Sequence, residues 1–207
     1  SLEHLNPLTT YYYTVSSTDL AGNISTDRSH SFTTPELSPK LFVDDVVGDP
    51  LEAYFAKALD SNGYTYEIWD SYVLGASPTV SDMSSYSTVI WNTGYNFSAA
   101  TAGLTNAEQR EIAAYLDRGG NIFLSGQDIL YNGVSDTFKS NYLHIANYWN
   151  DGEVYRVEGT RGDSIAHGMN LPLDFAPTYP YNYADTIQPD SSATGIFLAS
   201  DVGYSCL

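Results

Sequence analysis

The chain has 207 residues, enough for one substantial domain or a domain with an accompanying fragment. Hydrophobic residues make up 43% of it, and 25 acidic residues against 8 basic ones give a formal charge of -17 at neutral pH. Lysine and arginine are too sparse and scattered to track a phosphate backbone or an anionic lipid surface, so partners of those two kinds are disfavoured. The single cysteine, Cys206, excludes an internal disulfide framework and a Cys-rich zinc site. No apolar run approaches membrane-spanning length, which argues against membrane insertion. The opening SLEHLNPLTT lacks the form of a signal peptide. Because the chain reads as an excerpt of a longer one, this does not bear on export.

In chain order, the first signal is a hairpin. Leu5, Tyr11, Tyr13 and Val15 alternate as on a strand with one buried face. DLAGN at 19–23 supplies turn chemistry, and SHSFTT at 29–34 reads as the returning strand. The residues Leu5, Pro7, Thr9, Tyr11, Tyr13 and Val15, then Asp19, Ala21, Gly22 and Asn23, then Phe32 and Thr33, resemble the end of a fibronectin type III domain. The resemblance makes Tyr11 the corner tyrosine, its hydroxyl bonded to upstream backbone. Only the last two strands are present, whereas a complete sandwich needs about 100 residues. Residues 1–34 are therefore expected to be the end of such a domain. Residues 35–40, with the prolines of TTPELSPK, are expected to be a linker.

From Lys40 the rhythm changes to strand, helix, strand, strand, helix, strand. KLFVDD at 40–45 is a short apolar strand ending in acids. Leu51, Tyr54, Phe55, Ala58 and Leu59 fall on one helical face, with Asp49, Pro50 and Glu52 placed as N-cap, N1 and N3, and Gly63 as the stop. YTYEIWD at 64–70 and YSTVIWNTG at 86–94 are the second and third strands. LTNAEQREIAAYLDRGG is a second helix, with Thr105 and Glu108 as a capping box and Gly119-Gly120 at its end. NIFLSG is the fourth strand, running into a Ser-Gly corner and a candidate helix. EVYRVEG at 153–159 and GIFLAS at 195–200 read as later strands, with a Pro- and Tyr-rich loop between them. The alternation argues for an α/β fold, a mostly parallel sheet covered on both faces.

Residues 40–131 resemble, in element order, the class I glutamine amidotransferase-like fold, a flavodoxin-like three-layer sandwich. VIWNTG stands where that family has a glycine turn and NIFLSGQDIL where it has the catalytic elbow. The α/β domain is thus expected to cover 41–207 and to be truncated at its C-terminal end. The elbow cysteine would fall among Leu124, Ser125, Gly126 and Gln127, and none of these is cysteine. That chemistry needs a thiolate, so the departure argues against an enzyme. The alternative is a hydrolase or amidotransferase-like enzyme with Ser125 as nucleophile and His144 or His167 as base, although no Gly-x-Ser-x-Gly elbow is present. The stretches LFVDD, YEIWD, VIWNTG and FLSGQDI also resemble domains of this fold attached to secreted bacterial or archaeal proteases and other surface proteins. The resemblance implies a non-catalytic accessory or interaction domain of an extracellular or cell-surface modular protein. Its partners would be other domains of the same polypeptide and, beyond them, protein or carbohydrate.

In open parallel sheets ligands bind beyond the carboxyl ends of the strands. That edge would carry Asp44, Asp45, Asp70, Asn92, Thr93, Ser125, Gln127 and Asp128. Asp45, Asp70, Asn92, Thr93, Ser125, Gln127 and Asp128 are the candidate ligand-binding residues. Asp44, Asp45 and Asp128 are the candidate metal ligands, their oxygen-only chemistry suiting Ca²⁺ or Mg²⁺. The competing reading is that these acids and amides cap helices and satisfy turn backbone. An acid pair after the first strand is also a feature of response-regulator receivers, but Asn92 stands where their phospho-accepting aspartate belongs, so phosphotransfer is rejected. No Gly-x-Gly-x-x-Gly or phosphate loop supports a nucleotide cofactor, and no cofactor is expected beyond a bound cation. The Tyr-rich loop at Phe175 to Tyr183 offers rings for stacking on sugars or peptides, though such loops more often pack on their own domain. The sequons at Asn23 and Asn96 and the tripeptide Arg161-Gly162-Asp163 are too short to carry weight.

Overall fold

A computed structural model describes residues 9–33, 39–46, 51–94, 103–131, 133–152, 154–173, 182–199 and 204–206. The chain divides into two compact units, Ser1–Ser38 and Pro39–Leu207.

The first unit is the hairpin. Strands β1 (Thr10–Thr18) and β2 (Ile24–Thr33) pair antiparallel, with a register shift between Tyr13 and Val15. Asp19 organises the turn: its Oδ1 accepts from the backbone N–H groups of Ala21 and Asn23, and its Oδ2 accepts from Asn23 Nδ2. Tyr11 stacks on Phe32 with centroids 5.8 Å apart, and Tyr13 on His30 at 5.2 Å. The alternating face is not buried as expected, since Tyr13 and Val15 stay exposed. A two-stranded ribbon has no second layer of its own to cover one face. Leu5 and Pro7, and most of the linker, lie outside the described residues.

In the second unit, four strands alternate with helices. They are β3 (Lys40–Asp44), β4 (Tyr66–Asp70), β5 (Thr88–Asn92) and β6 (Asn121–Ser125). All pair parallel, in the order β4-β3-β5-β6. Helix α1 (Glu52–Ser61) follows β3, the short helices α2 (Ser71–Leu74) and α3 (Val80–Met83) follow β4, and α4 (Asn106–Leu116) joins β5 to β6. The N-cap and N1 positions expected at Asp49 and Pro50 lie outside the described residues; Leu51 precedes α1 in helical backbone with no side-chain cap.

Side chains alternate across the sheet. Leu41, Val43, Val89 and Trp91 form the main core with Leu104, Ile112 and Tyr115 around α4, Met83 of α3 and Phe138. On the other face Phe42 stacks on Phe55 of α1 at 5.1 Å, and Phe55 meets Phe123 edge-on at 6.5 Å. Ile68 and Phe123, on the two outer strands, remain 53% and 56% exposed.

The expected capping box of α4 is present. Thr105 Oγ1 accepts from Glu108 N–H, and Glu108 Oε2 accepts from Thr105 N–H at 2.6 Å. The two-glycine end also forms: Gly119 takes φ +85°, and Gly120 N–H donates to Tyr115 O at 3.1 Å. A Cβ on Gly120 would collide with the Tyr115 ring, so this turn demands glycine.

Beyond β6 the structure departs from expectation. Residues 127–131 form turns, not a helix. Gln127 N–H is tied to Gly94 O at 2.8 Å, and the next helix, α5 (Asp136–Asn141), starts only at the Ser135 cap. The expected later strands are β8 (Arg156–Gly159) and β11 (Phe197–Ala199), and they pair antiparallel with each other. They do not extend the parallel sheet. With β9 (Asn170–Pro172) and β12 (Tyr204–Cys206) they form a second sheet, while β7 (Ile145–Trp149) and β10 (Thr186–Pro189) form a third. Sequence periodicity misses β7, β9, β10 and β12, because three- to five-residue segments such as TIQP carry almost no period.

Truncating Ile112 to Ala, at the fully buried contact of α4 with the sheet, should cost about 2–5 kcal/mol in urea unfolding.

Candidate functional site at the carboxyl edge of the parallel sheet

Register places four polar residues in one row. Asp44 pairs with Asp70 on one side and Asn92 on the other, and Asn92 pairs with Ser125. All four share the sheet face of Phe42 and Phe123. The chain leaves β3 toward β4 on one flank and resumes at β5 on the other, so the topological switch lies between β3 and β5. The loops are stitched beyond the strands: Asp45 N–H donates to Asn92 O at 3.0 Å, and Thr93 N–H to Ser125 O at 2.8 Å. Thr93 Oγ1 occupies the space a Cβ on Gly126 would need, which makes the corner tight.

Several buried polar atoms at this edge have no hydrogen-bond partner among the described residues: Asn92 Nδ2, Gln127 Nε2, Asp128 Oδ1, Ser71 Oγ and Glu52 Oε2. Buried polar groups are normally satisfied, so such a concentration marks a place for water or ligand. Asn92, 2% exposed, uses its Oδ1 to accept from Gly94 N–H at 3.2 Å. Asp70 behaves as the capping alternative requires, accepting from Val73 N–H at 2.9 Å to start α2. Asp44 is buried beside Asn92.

Asp45, Val46, Ser71, Tyr72, Gly75, Ala76 and Ser77 line a cavity of about 210 Å³. Burial, and next the negative charge of Glu108, pushes the Asp45 carboxyl up to about 6, while Trp91 Nε1 donates to its Oδ2 at 3.2 Å. Glu108 is occupied on both oxygens, accepting from Ser77 Oγ at 2.5 Å as well as from Thr105. Ser71 and Glu108 are additions to the expected set. The capping-box position hid the second role of Glu108.

The two expected histidines have partners of their own. His144 Nδ1 lies 3.3 Å from Asp190 Oδ2, and His167 Nδ1 accepts from Gly162 N–H at 2.9 Å. Among the described residues no hydrogen bond joins either imidazole to Ser125. Cys206 stands in β12. In the Arg161-Gly162-Asp163 stretch, the Asp163 carboxylate accepts from the N–H groups of Ile165 and Ala166, both at 2.8 Å. Asn23 is bonded to Asp19, and Asn96 lies outside the described residues. So does most of the Tyr-rich loop. Its described end is held inward, with Asn182 Nδ2 donating to Val154 O at 2.8 Å.

A second set of carboxylates adjoins the corner. Asp128, 4% exposed, is pushed up to about 6 by burial and then by Asp151. Asp185 is pushed up to about 7 by burial, then by Asp128, with Asp151 adding a smaller push. Sequence reasoning found Asp128 but missed Asp185 and Asp151, because only the pairing of β7 with β10 brings them near. Among the described residues no group of three or more His, Cys, Asp or Glu side chains is arranged to hold a metal ion. The expected trio Asp44, Asp45 and Asp128 therefore does not form a metal cage.

No protein-family model matches the chain, and no curated protein sequence matches it. It is similar to the crystal structure of a glutamine amidotransferase from Thermotoga maritima, with 13% identity, a TM-score of 0.48, and coverage of 81% of this chain and 70% of that one. The structure of this chain is an α/β fold on a four-stranded parallel sheet, compatible with a flavodoxin-like arrangement.

The raised carboxyls set a pH dependence. In metal-free buffer the folded state retains protons on Asp45, Asp128 and Asp185 that the unfolded chain loses above about 4. Their stabilising contribution is complete below that pH and is lost as pH rises through about 6 to 7. Thermal melts of Asp185→Asn should therefore lie a few degrees above wild type at pH 8 and lose that advantage at pH 4.

Proposed function

We propose that the α/β unit is a non-catalytic accessory or interaction domain of an extracellular modular protein, such as a secreted protease. On this reading it is a glutamine amidotransferase-like domain without the catalytic cysteine, and the hairpin before it is the end of a fibronectin type III domain. The observation that carries the proposal is at the corner. Ser125 stands where a nucleophile would, yet among the described residues no hydrogen bond joins it to an imidazole: His144 Nδ1 faces Asp190, and His167 Nδ1 accepts from Gly162 N–H. A serine hydroxyl without a base is a weak nucleophile at neutral pH.

The edge would serve recognition. Asp45, Asn92, Thr93, Gln127 and Asp128 gather polar atoms at the switch point, several of them buried and unpartnered. A polar group of a protein or carbohydrate partner, or a cation, would satisfy them. Asp70 has a smaller part, since its carboxylate caps α2.

The test is turnover. Ammonia release from glutamine and hydrolysis of an activated ester should be indistinguishable between wild type and Ser125→Ala, both at the buffer rate. A wild-type rate lost in Ser125→Ala, and also in His144→Ala or His167→Ala, would restore the enzyme reading.

A further inference from the structure

A carboxylate taken out of water needs a proton, a basic partner or a metal. Asp128 and Asp185 lack the second. Asp128 is 4% exposed and its Oδ1 has no hydrogen-bond partner among the described residues. Both oxygens of Asp185 are buried without a hydrogen-bond partner among the described residues, and the nearby backbone N–H groups of Leu130 and Asp151 offset only part of the cost of that burial. All 8 lysines and arginines of the chain are among the described residues, and none is a charge neighbour of either aspartate. The charges these two groups feel are those of carboxylates alone.

The surroundings hold them in place. Asp151 lies just past β7 with φ +54°, and Asp185 immediately precedes β10. Trp149 pairs with Thr186, and Gly152 N–H donates to Ala184 O at 2.8 Å, closing that end of the ladder. Asp128 meets this end from the turn after β6, where Tyr131 N–H donates to its carbonyl at 3.3 Å. Three segments far apart in sequence thus bring carboxylates within electrostatic reach of one another at this end of the ribbon.

We propose that Asp128 and Asp185 are the two protein carboxylate ligands of a Ca²⁺ site, with Asp151 adding charge from outside the first coordination sphere. A hard cation matches an oxygen-only set, and Ca²⁺ tolerates two carboxylates completed by carbonyls and water. This moves the cation from the strand ends at Asp44 and Asp45 to the turn beyond Asp128. Bound there, the ion would pin the ribbon to the corner.

The probe is Ca²⁺ itself, added to the chelator-stripped chain and followed by calorimetry and thermal melting. Wild type should bind with release of protons near pH 6 and melt several degrees higher in millimolar Ca²⁺. Asp128→Asn and Asp185→Asn should abolish both effects, while Asp151→Asn should weaken binding about tenfold, as loss of an outer group does. Each amide keeps the shape and removes the unpaired charge, so the metal-free variants should melt no lower than wild type. A second readout does not depend on them. Tb³⁺ luminescence excited through tryptophan should appear with wild type, fall with added Ca²⁺, and dim in Trp149→Phe. Absence of heat, melting shift and Tb³⁺ signal in wild type would overturn the proposal. So would a Ca²⁺ response that survives in both Asp128→Asn and Asp185→Asn.

Discussion

The register of β3 against β5 is the constraint on which the second unit depends. Pairing Phe42 with Ile90 and Asp44 with Asn92 sends one set of side chains to α1 and the other to α4. A slip of one residue would turn one of the two strands over, taking Val43 or Trp91 away from the α4 side and putting Asp44 or Asn92 among its apolar side chains. Trp91, fully buried, makes that slip costly. The same alignment that builds the core also delivers a polar row to the strand ends, so the candidate site follows directly from the packing.

Where a feature is local, the sequence shows it. The capping box of α4 is readable because Thr105 and Glu108 are three residues apart, and the end of the helix because two glycines follow it. The four core strands are readable because apolar runs of the right length lie between helical faces. The parts that escape are set at a distance. No local pattern says that His144 faces Asp190 or that Asp185 approaches Asp128, since both depend on how short polar strands pair. The turns after β6 escape for a related reason. Their backbone is tied to Gly94, a residue on a different loop, which outweighs local helical preference.

The acidic composition takes on a more specific meaning in the structure. A charge of -17 on the surface alone would favour solubility. Here some of the carboxylates are internal: Asp45, beside a cavity, feels the charge of Glu108, and Asp185 feels that of Asp128. Interior acids without basic partners cost stability at neutral pH. They stand near a sheet edge that also holds the unpartnered amides of Asn92 and Gln127.

The contact between Thr93 and Gly126 bears on how this corner can change. Leu124 packs against the core, and Thr93 fills the space beside Gly126. A thiol at either position would need a compensating change elsewhere, at residue 93 in the second case. Substitution at 125 meets neither obstacle, because that side chain lies on the opposite face from Leu124. Of the three neighbouring positions, 125 is therefore the one where a different side chain could be accommodated without disturbing either the core or residue 93.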